Sequence, residues 1–136
     1  MINSYTNTTQ TFNTNEILTF ATNKIISGCS VVHTEGTGSF LLKKPGYYYI
    51  FFNASGAAET AGNITVQLLN NGEVVPGAVT SGYSAANANA EALGFSTILK
   101  VLPSCACIDN SATISLQNTG VEATFSNLNI IITKIC

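Results

Sequence analysis

Gly36-Thr-Gly-Ser-Phe40-Leu-Leu-Lys-Lys-Pro45-Gly-Tyr-Tyr-Tyr-Ile50-Phe-Phe-Asn53 reads as strand, turn, strand. Phe40 to Leu42 is a short apolar run, Lys44-Pro45-Gly46 carries turn chemistry, and Tyr47 to Phe52 is six consecutive β-favouring residues. Side chains alternate along a strand, so Tyr48, Ile50 and Phe52 face one way and Tyr47, Tyr49 and Phe51 the other. A half-solvated antiparallel strand would alternate apolar with polar, and this one does not. It requires two covers: its own core on one face and a second sheet, a loop or another subunit on the other.

Outward from this stretch the same grammar repeats. Ile17 to Phe20, Lys24 to Ile26 and Cys29 to His33 are strand candidates upstream. Ile64 to Leu69 alternates, and Asn70-Asn71-Gly72 is a strong hairpin turn into Glu73 to Val75. Ala54 to Gly62 reads as a loop, Pro76 to Gly82 as irregular with Val79 pairing, and Ser84 to Leu93 as a loop running into the strand Phe95 to Leu102. Ala112 to Leu116 and Ala123 to Ile135 complete the set. In the last of these Ile130 and Ile132 oppose Ile131 and Ile135, so a second strand is apolar on both faces. About ten short strands without a sustained helical period predict an all-β sandwich or barrel. Met1 to Glu16, mostly Asn, Thr, Ser and Gln, reads as a polar leader or linker, which leaves 17–136 as the folded domain.

The 136 residues fit one domain. Charged residues are 9% where about 25% is usual, so Ser, Thr and Asn must cover the surface. Arginine is absent and the five lysines are scattered, which excludes a basic track for nucleic acid. No apolar run is long enough for membrane insertion, and Met1 to Gln10 is too polar for a signal peptide.

Cys29, Cys105, Cys107 and Cys136 read first as buried free thiols. One disulfide, such as Cys29 or Cys136 with a member of the Cys105, Cys107 pair, is the alternative; metal binding would need further ligands, so no metal or other cofactor is assigned. His33 is the only histidine and Asp109 the only aspartate. No nucleophile motif accompanies His33, which therefore reads as an ordinary strand or surface histidine rather than a catalytic base. Nothing in the spacing of Glu35, Glu59 and Glu122 makes a carboxylate pair. Tyr83, in a glycine-serine context, is the candidate for stacking on a sugar in an exposed loop.

Several motifs fall in a familiar order. Ile17-x-x-Phe20, Gly36-x-Gly-x-Phe40 with Pro45-Gly46-x-Tyr48, Leu68-Leu69-Asn70-Asn71-Gly72 and Phe125-Ser126-Asn127-Leu128 resemble the signature of the tumour necrosis factor and complement globular-head superfamily. The resemblance implies a ten-stranded jelly-roll sandwich that forms a homotrimer, its first, central and last strands in the inner sheet around a three-fold axis. Tyr47, Tyr49, Phe51 and Ile131 would then face the trimer interface. The low charge, the Asn/Thr leader and the Ile-rich ending look most like the bacterial branch, which includes C-terminal domains of collagen-like exosporium glycoproteins and phage fibre heads. Such a domain is expected to be non-catalytic, on a cell, spore or virion surface, with a surface glycan or protein receptor as a further partner. Leu102-Pro-Ser-Cys-Ala-Cys-Ile-Asp109 departs from the family pattern of leucine, two residues and glycine-aspartate.

Overall fold

The computed structural model describes residues 1–85 and 90–136. Eleven strands are present among the described residues: β1 (Ile2–Thr6), β2 (Gln10–Phe12), β3 (Thr22–Ile26), β4 (Val31–His33), β5 (Phe40–Leu42), β6 (Gly46–Ala58), β7 (Gly62–Asn70), β8 (Glu73–Ser84), β9 (Glu91–Val101), β10 (Ala112–Asn118) and β11 (Ala123–Lys134). They form two antiparallel sheets. The first runs β3-β1-β11-β6-β9, with β2 also paired to β11, and the second runs β4-β5-β10-β7-β8. The all-β jelly-roll sandwich expected from the sequence is the observed architecture.

The core lies between the sheets. From the first, Tyr48, Ile50, Phe52, Leu128, Ile130 and Ile132 point inward; from the second, Ile64, Val66, Leu68, Ile114 and Leu116 meet them, all essentially without exposure. Tyr48 is buried to its hydroxyl, which donates to the Lys44 carbonyl at 2.7 Å. That bond removes the penalty of burying a phenol. Gly46 opens β6 at φ +139°, where a Cβ would run into the Cys136 carbonyl, so only glycine fits this approach of the two chain segments. Asn71 and Gly72, both at positive φ, form the hairpin turn between β7 and β8 as expected.

Several expectations are corrected. Residues 1–16 are not a leader. Strand β1 sits inside the first sheet between β3 and β11, with Ile2, Ser4 and Thr6 buried, and β2 docks on β11 through Phe12, 5.9 Å from Phe125 between ring centroids. The inward hydroxyls are satisfied: Ser4 donates to Asn23 Oδ1 at 2.6 Å, while Thr6 donates to the Thr19 carbonyl at 3.1 Å and accepts from the Ala21 amide at 2.9 Å. Hydroxyls with partners can occupy a core face that a hydrophobic pattern does not reveal.

The stretch Ile17 to Phe20 makes only isolated bridges, Ile17 to Gln117 and Phe20 to Thr37, though Leu18 and Phe20 are fully buried. Ala54 to Ala58 continue β6, leaving a turn at 59–61, and Pro76 to Ser84 lie in β8, with Val79 opposite Gln67. Residues 86–89 of the expected loop before β9 lie outside the described residues.

Candidate functional site

The outer face of the first sheet is where the sequence left a strand unaccounted for. Residues directly opposite on paired strands point to the same side, so the register gives the face row by row. Tyr49 lies between Ile98 of β9 and Thr133 of β11, Phe51 between Ser96 and Ile131, and Tyr47 opposite Lys100. Tyr48, Ile50 and Phe52 are at zero exposure, whereas Tyr47 is 43% and Ile98 58% exposed, with Tyr49, Phe51 and Ile131 partly covered. Lys100 Nζ stands 5.7 Å from the Tyr47 ring centroid, a cation over a π face. The four side chains singled out from the sequence thus share one face, and Ile98 joins them. Parity could have found Ile98 only once β9 was known to pair with β6.

Towards the other end the same face turns to amides. Asn53 pairs with Asn129, and Asn129 with Tyr5 of β1; Asn3 donates to Asn129 Oδ1 at 2.7 Å and to the Ile130 carbonyl at 2.9 Å. Asn3, Asn7, Asn53, Asn127 and Asn129, with Tyr5 and Lys24, line a pocket of about 450 Å³. The face therefore has an apolar strip at one end and a hydrogen-bonding surface of amides with one lysine at the other.

His33 is structural. It lies on β4, only 8% exposed, stacked on Phe40 at 4.1 Å between centroids and 11° between planes. Nε2 lies 2.9 Å from the Thr37 carbonyl and Nδ1 2.6 Å from Asn23 Oδ1. Burial holds its pKa below the ordinary value of 6.5, against the opposing pull of the Thr37 carbonyl and the Glu35 charge. Ser4 Oγ is 3.5 Å from Nδ1, a serine-histidine pair in distance alone, since Ser4 has no exposed surface for a substrate to reach. Glu59 and Glu122 are neighbours through a backbone bond, while Glu35 receives the Asn23 amide at the β3 edge, so the three carboxylates do not converge.

Tyr83 is exposed but stands on β8, opposite Asn63, rather than in a loop. All four cysteines are exposed free thiols, which overturns the expectation of burial. Cys105 lies in the loop between β9 and β10. It closes a tight turn, its amide donating to the Ile108 carbonyl at 2.8 Å and its carbonyl accepting from the Ile108 amide at 3.2 Å. Asp109 fastens this loop, accepting the Ser111 amide at 2.9 Å, and that bond, with the Ser111 and Ser104 hydroxyls, lowers its pKa. Sequence reasoning also missed Asn118. Fully buried at the end of β10, it donates to the carbonyls of Phe12, Asn13 and Val121 at 3.1, 3.3 and 3.1 Å, stapling the β2 segment to the second sheet.

No family model matches the chain, and no curated protein matches it in sequence. Solved structures do match in fold. The globular domain of zebrafish complement 1qA aligns over 98% of this chain and 97% of its own, with a TM-score of 0.58 and 15% identity. Murine APRIL at pH 5.0 aligns over 98% of both chains at 0.64 and 7%. The PRD1 vertex protein P5 aligns over 99% and 96% at 0.57 and 17%. These likenesses carry the fold alone, the jelly-roll sandwich. His33, the chain's only histidine, is held by packing and hydrogen bonds within this fold.

Proposed function

We propose that the protein is a homotrimeric head that recognises a receptor or glycan at the tip of a surface fibre, on a virion or as an adhesin. Three copies pack the outer faces of their first sheets around a three-fold axis, with Tyr47, Tyr49, Phe51, Ile98 and Ile131 between them. The observation that carries the assembly is the contiguity of that strip: an apolar run along one strand of a sheet face, flanked on both neighbouring strands, marks an interaction surface, whereas scattered apolar side chains do not. The tip role is favoured by the likeness to a vertex protein over nearly the whole chain. A second reading, a structural cap on a collagen-like exosporium fibre, rests on the sequence resemblance to that branch.

Light scattering tests the assembly: a trimer has three times 14.2 kDa, about 43 kDa, and a 14.2 kDa particle at micromolar concentration refutes it. Glycan-array and host-cell binding separate the two roles. Binding that disappears when the 59–61 turn is replaced supports a tip, and a trimer that binds no glycan and no cell supports a cap.

A further inference from the structure

Asn23, Asn71, Asn110 and Asn118 put their side chains to use within the fold. Asn23 accepts from Ser4 Oγ and donates to the His33 carbonyl, Asn71 accepts the Thr113 amide, Asn110 donates to the Pro103 carbonyl, and Asn118 donates to three carbonyls. The asparagines of the pocket on the outer face of the first sheet differ. Asn3 donates to Asn129 Oδ1 and to the Ile130 carbonyl, which fixes Asn129 and leaves its amino group without an acceptor among the described residues. The side chains of Tyr5, Asn7, Asn53 and Asn127 make no hydrogen bond among the described residues.

The register brings these groups together. Asn53, Asn129 and Tyr5 lie in one row across β6, β11 and β1, with Asn127 and Asn3 two residues along their strands. On one face, rows repeat about every 7 Å along a strand and about every 5 Å across strands, so a single ligand ring reaches several side chains. An amide offers an acceptor oxygen and two donor hydrogens, and a hydroxyl takes part in both roles. A ligand rich in hydroxyls satisfies such a wall, whereas an apolar one would leave the amides desolvated and unpaired. Tyr5 adds aromatic surface for the C–H face of a sugar ring. Lys24 sets the charge: no carboxylate lines the wall, and among the described residues this lysine is in no ion pair. Glu35, at the same sheet edge, bonds the Asn23 amide instead. At about 450 Å³ the pocket falls within the size of small-ligand sites, about 300–1,000 Å³.

We propose that this pocket binds a single sugar unit bearing a carboxylate, with the hydroxyls held by Asn53, Asn127 and Asn129 and the carboxylate by Lys24. The site rests on the recognition reading for its role alone, and it is separate from the 59–61 turn. It is also distinct from the trimer strip, whose side chains stand on β9, β6 and β11, while those of the pocket run from β6 across β11 and β1 to β3. Asn53, two residues after Phe51, and Asn3, opposite Ile131, mark where the two meet.

The experiment titrates the full chain with methyl glucuronide and with methyl glucoside, which differ only in a carboxylate for a hydroxymethyl group, and follows the amide resonances. The expected result is saturable shifts at Asn53, Asn127 and Asn129, with the glucuronide bound ~10-fold more tightly, the scale of one hydrogen bond to a charged group. Lys24→Met should bring the glucuronide down to the affinity of the glucoside and leave the glucoside unchanged, a split that a merely structural role would not produce. Asn53→Ala combined with Asn127→Ala, two exposed side chains without a hydrogen bond among the described residues, should weaken both sugars and keep the native particle mass. Equal affinities, no binding, shifts confined to other surfaces, or binding that appears only in a Phe51→Asp protein freed from its neighbours would each overturn the proposal. Binding that is lost with the 59–61 turn and kept in the pocket variants would overturn it too, and would leave the tip reading standing. A 14.2 kDa particle with the expected sugar pattern would support the pocket and remove the trimer.

Discussion

On the outside of the second sheet Thr65 bonds Ser81 across the strands at 2.9 Å and Gln67 bonds Gln117 at 3.3 Å, with Val79 and Tyr83 exposed singly among them. On the outside of the first, Tyr47, Tyr49 and Phe51 follow one another down β6, flanked by Ile98 and Ile131. The backbone is the same antiparallel ladder in both. What differs is whether side chains at that surface can satisfy one another and water. The second sheet shows paired polar side chains with separate apolar ones, Val32 and Val74 included, and the first shows the strip that the proposed trimer would cover.

Charge placed on each face is the strongest way to break this comparison. Phe51→Asp should weaken the proposed trimer by about 3–5 kcal/mol, the scale of a buried charge without a partner, and light scattering should then read 14.2 kDa with the β-sheet circular dichroism retained. A Phe51→Asp protein that stays trimeric would remove this strip from the interface. Tyr48→Ala, one residue from Tyr49 but facing the core, should instead cost about 3–5 kcal/mol of folding stability in urea titration, while Tyr49→Ala should spare the isolated fold.

Asn118 sharpens the comparison where the two sheets meet. Asn118→Ala takes a donor from the Phe12 and Val121 carbonyls, while the Asn13 carbonyl keeps the Glu16 amide, and should lower stability by about 2–3 kcal/mol, with hydrogen exchange accelerated first in 10–16. A smaller effect is expected at His33. The fold excludes a proton that the unfolded chain binds, so stability present above pH 6.5 declines as the pH falls through 6.5 towards the lower folded value. Thermal melts across that range should show the decline, and His33→Gln should flatten it. Asp109, also lowered, adds a loss only below the ordinary carboxylate range. The smallest effect belongs to the outside of the second sheet: Thr113→Lys should shift stability by less than about 0.5 kcal/mol and leave the particle mass unchanged.

Much of this was legible in the residues. The two-sided apolar character of Tyr47 to Phe52 and Ile130 to Ile132, the positive-φ turn at Asn71 and Gly72, and the core side of Tyr48 all follow from side-chain alternation and turn sterics within a few residues. Strand β1 was not legible, because Ser4 and Thr6 hide on a buried face by bonding to Asn23, Thr19 and Ala21. The cysteines were misread because burial statistics stand in for a location that sequence does not carry. The line between the two kinds of information is distance along the chain. Local chemistry made strands and turns out of this sequence and left two stretches, Tyr47 to Phe52 and Ile130 to Ile132, apolar on both faces. Only the tertiary structure decided that Asn3 would bond Asn129, that β1 would lie beside β11, and that Asn118 would bond the Phe12 carbonyl. Such pairings depend on which distant partner completes the burial and the hydrogen bonds, and no short stretch of sequence contains that choice.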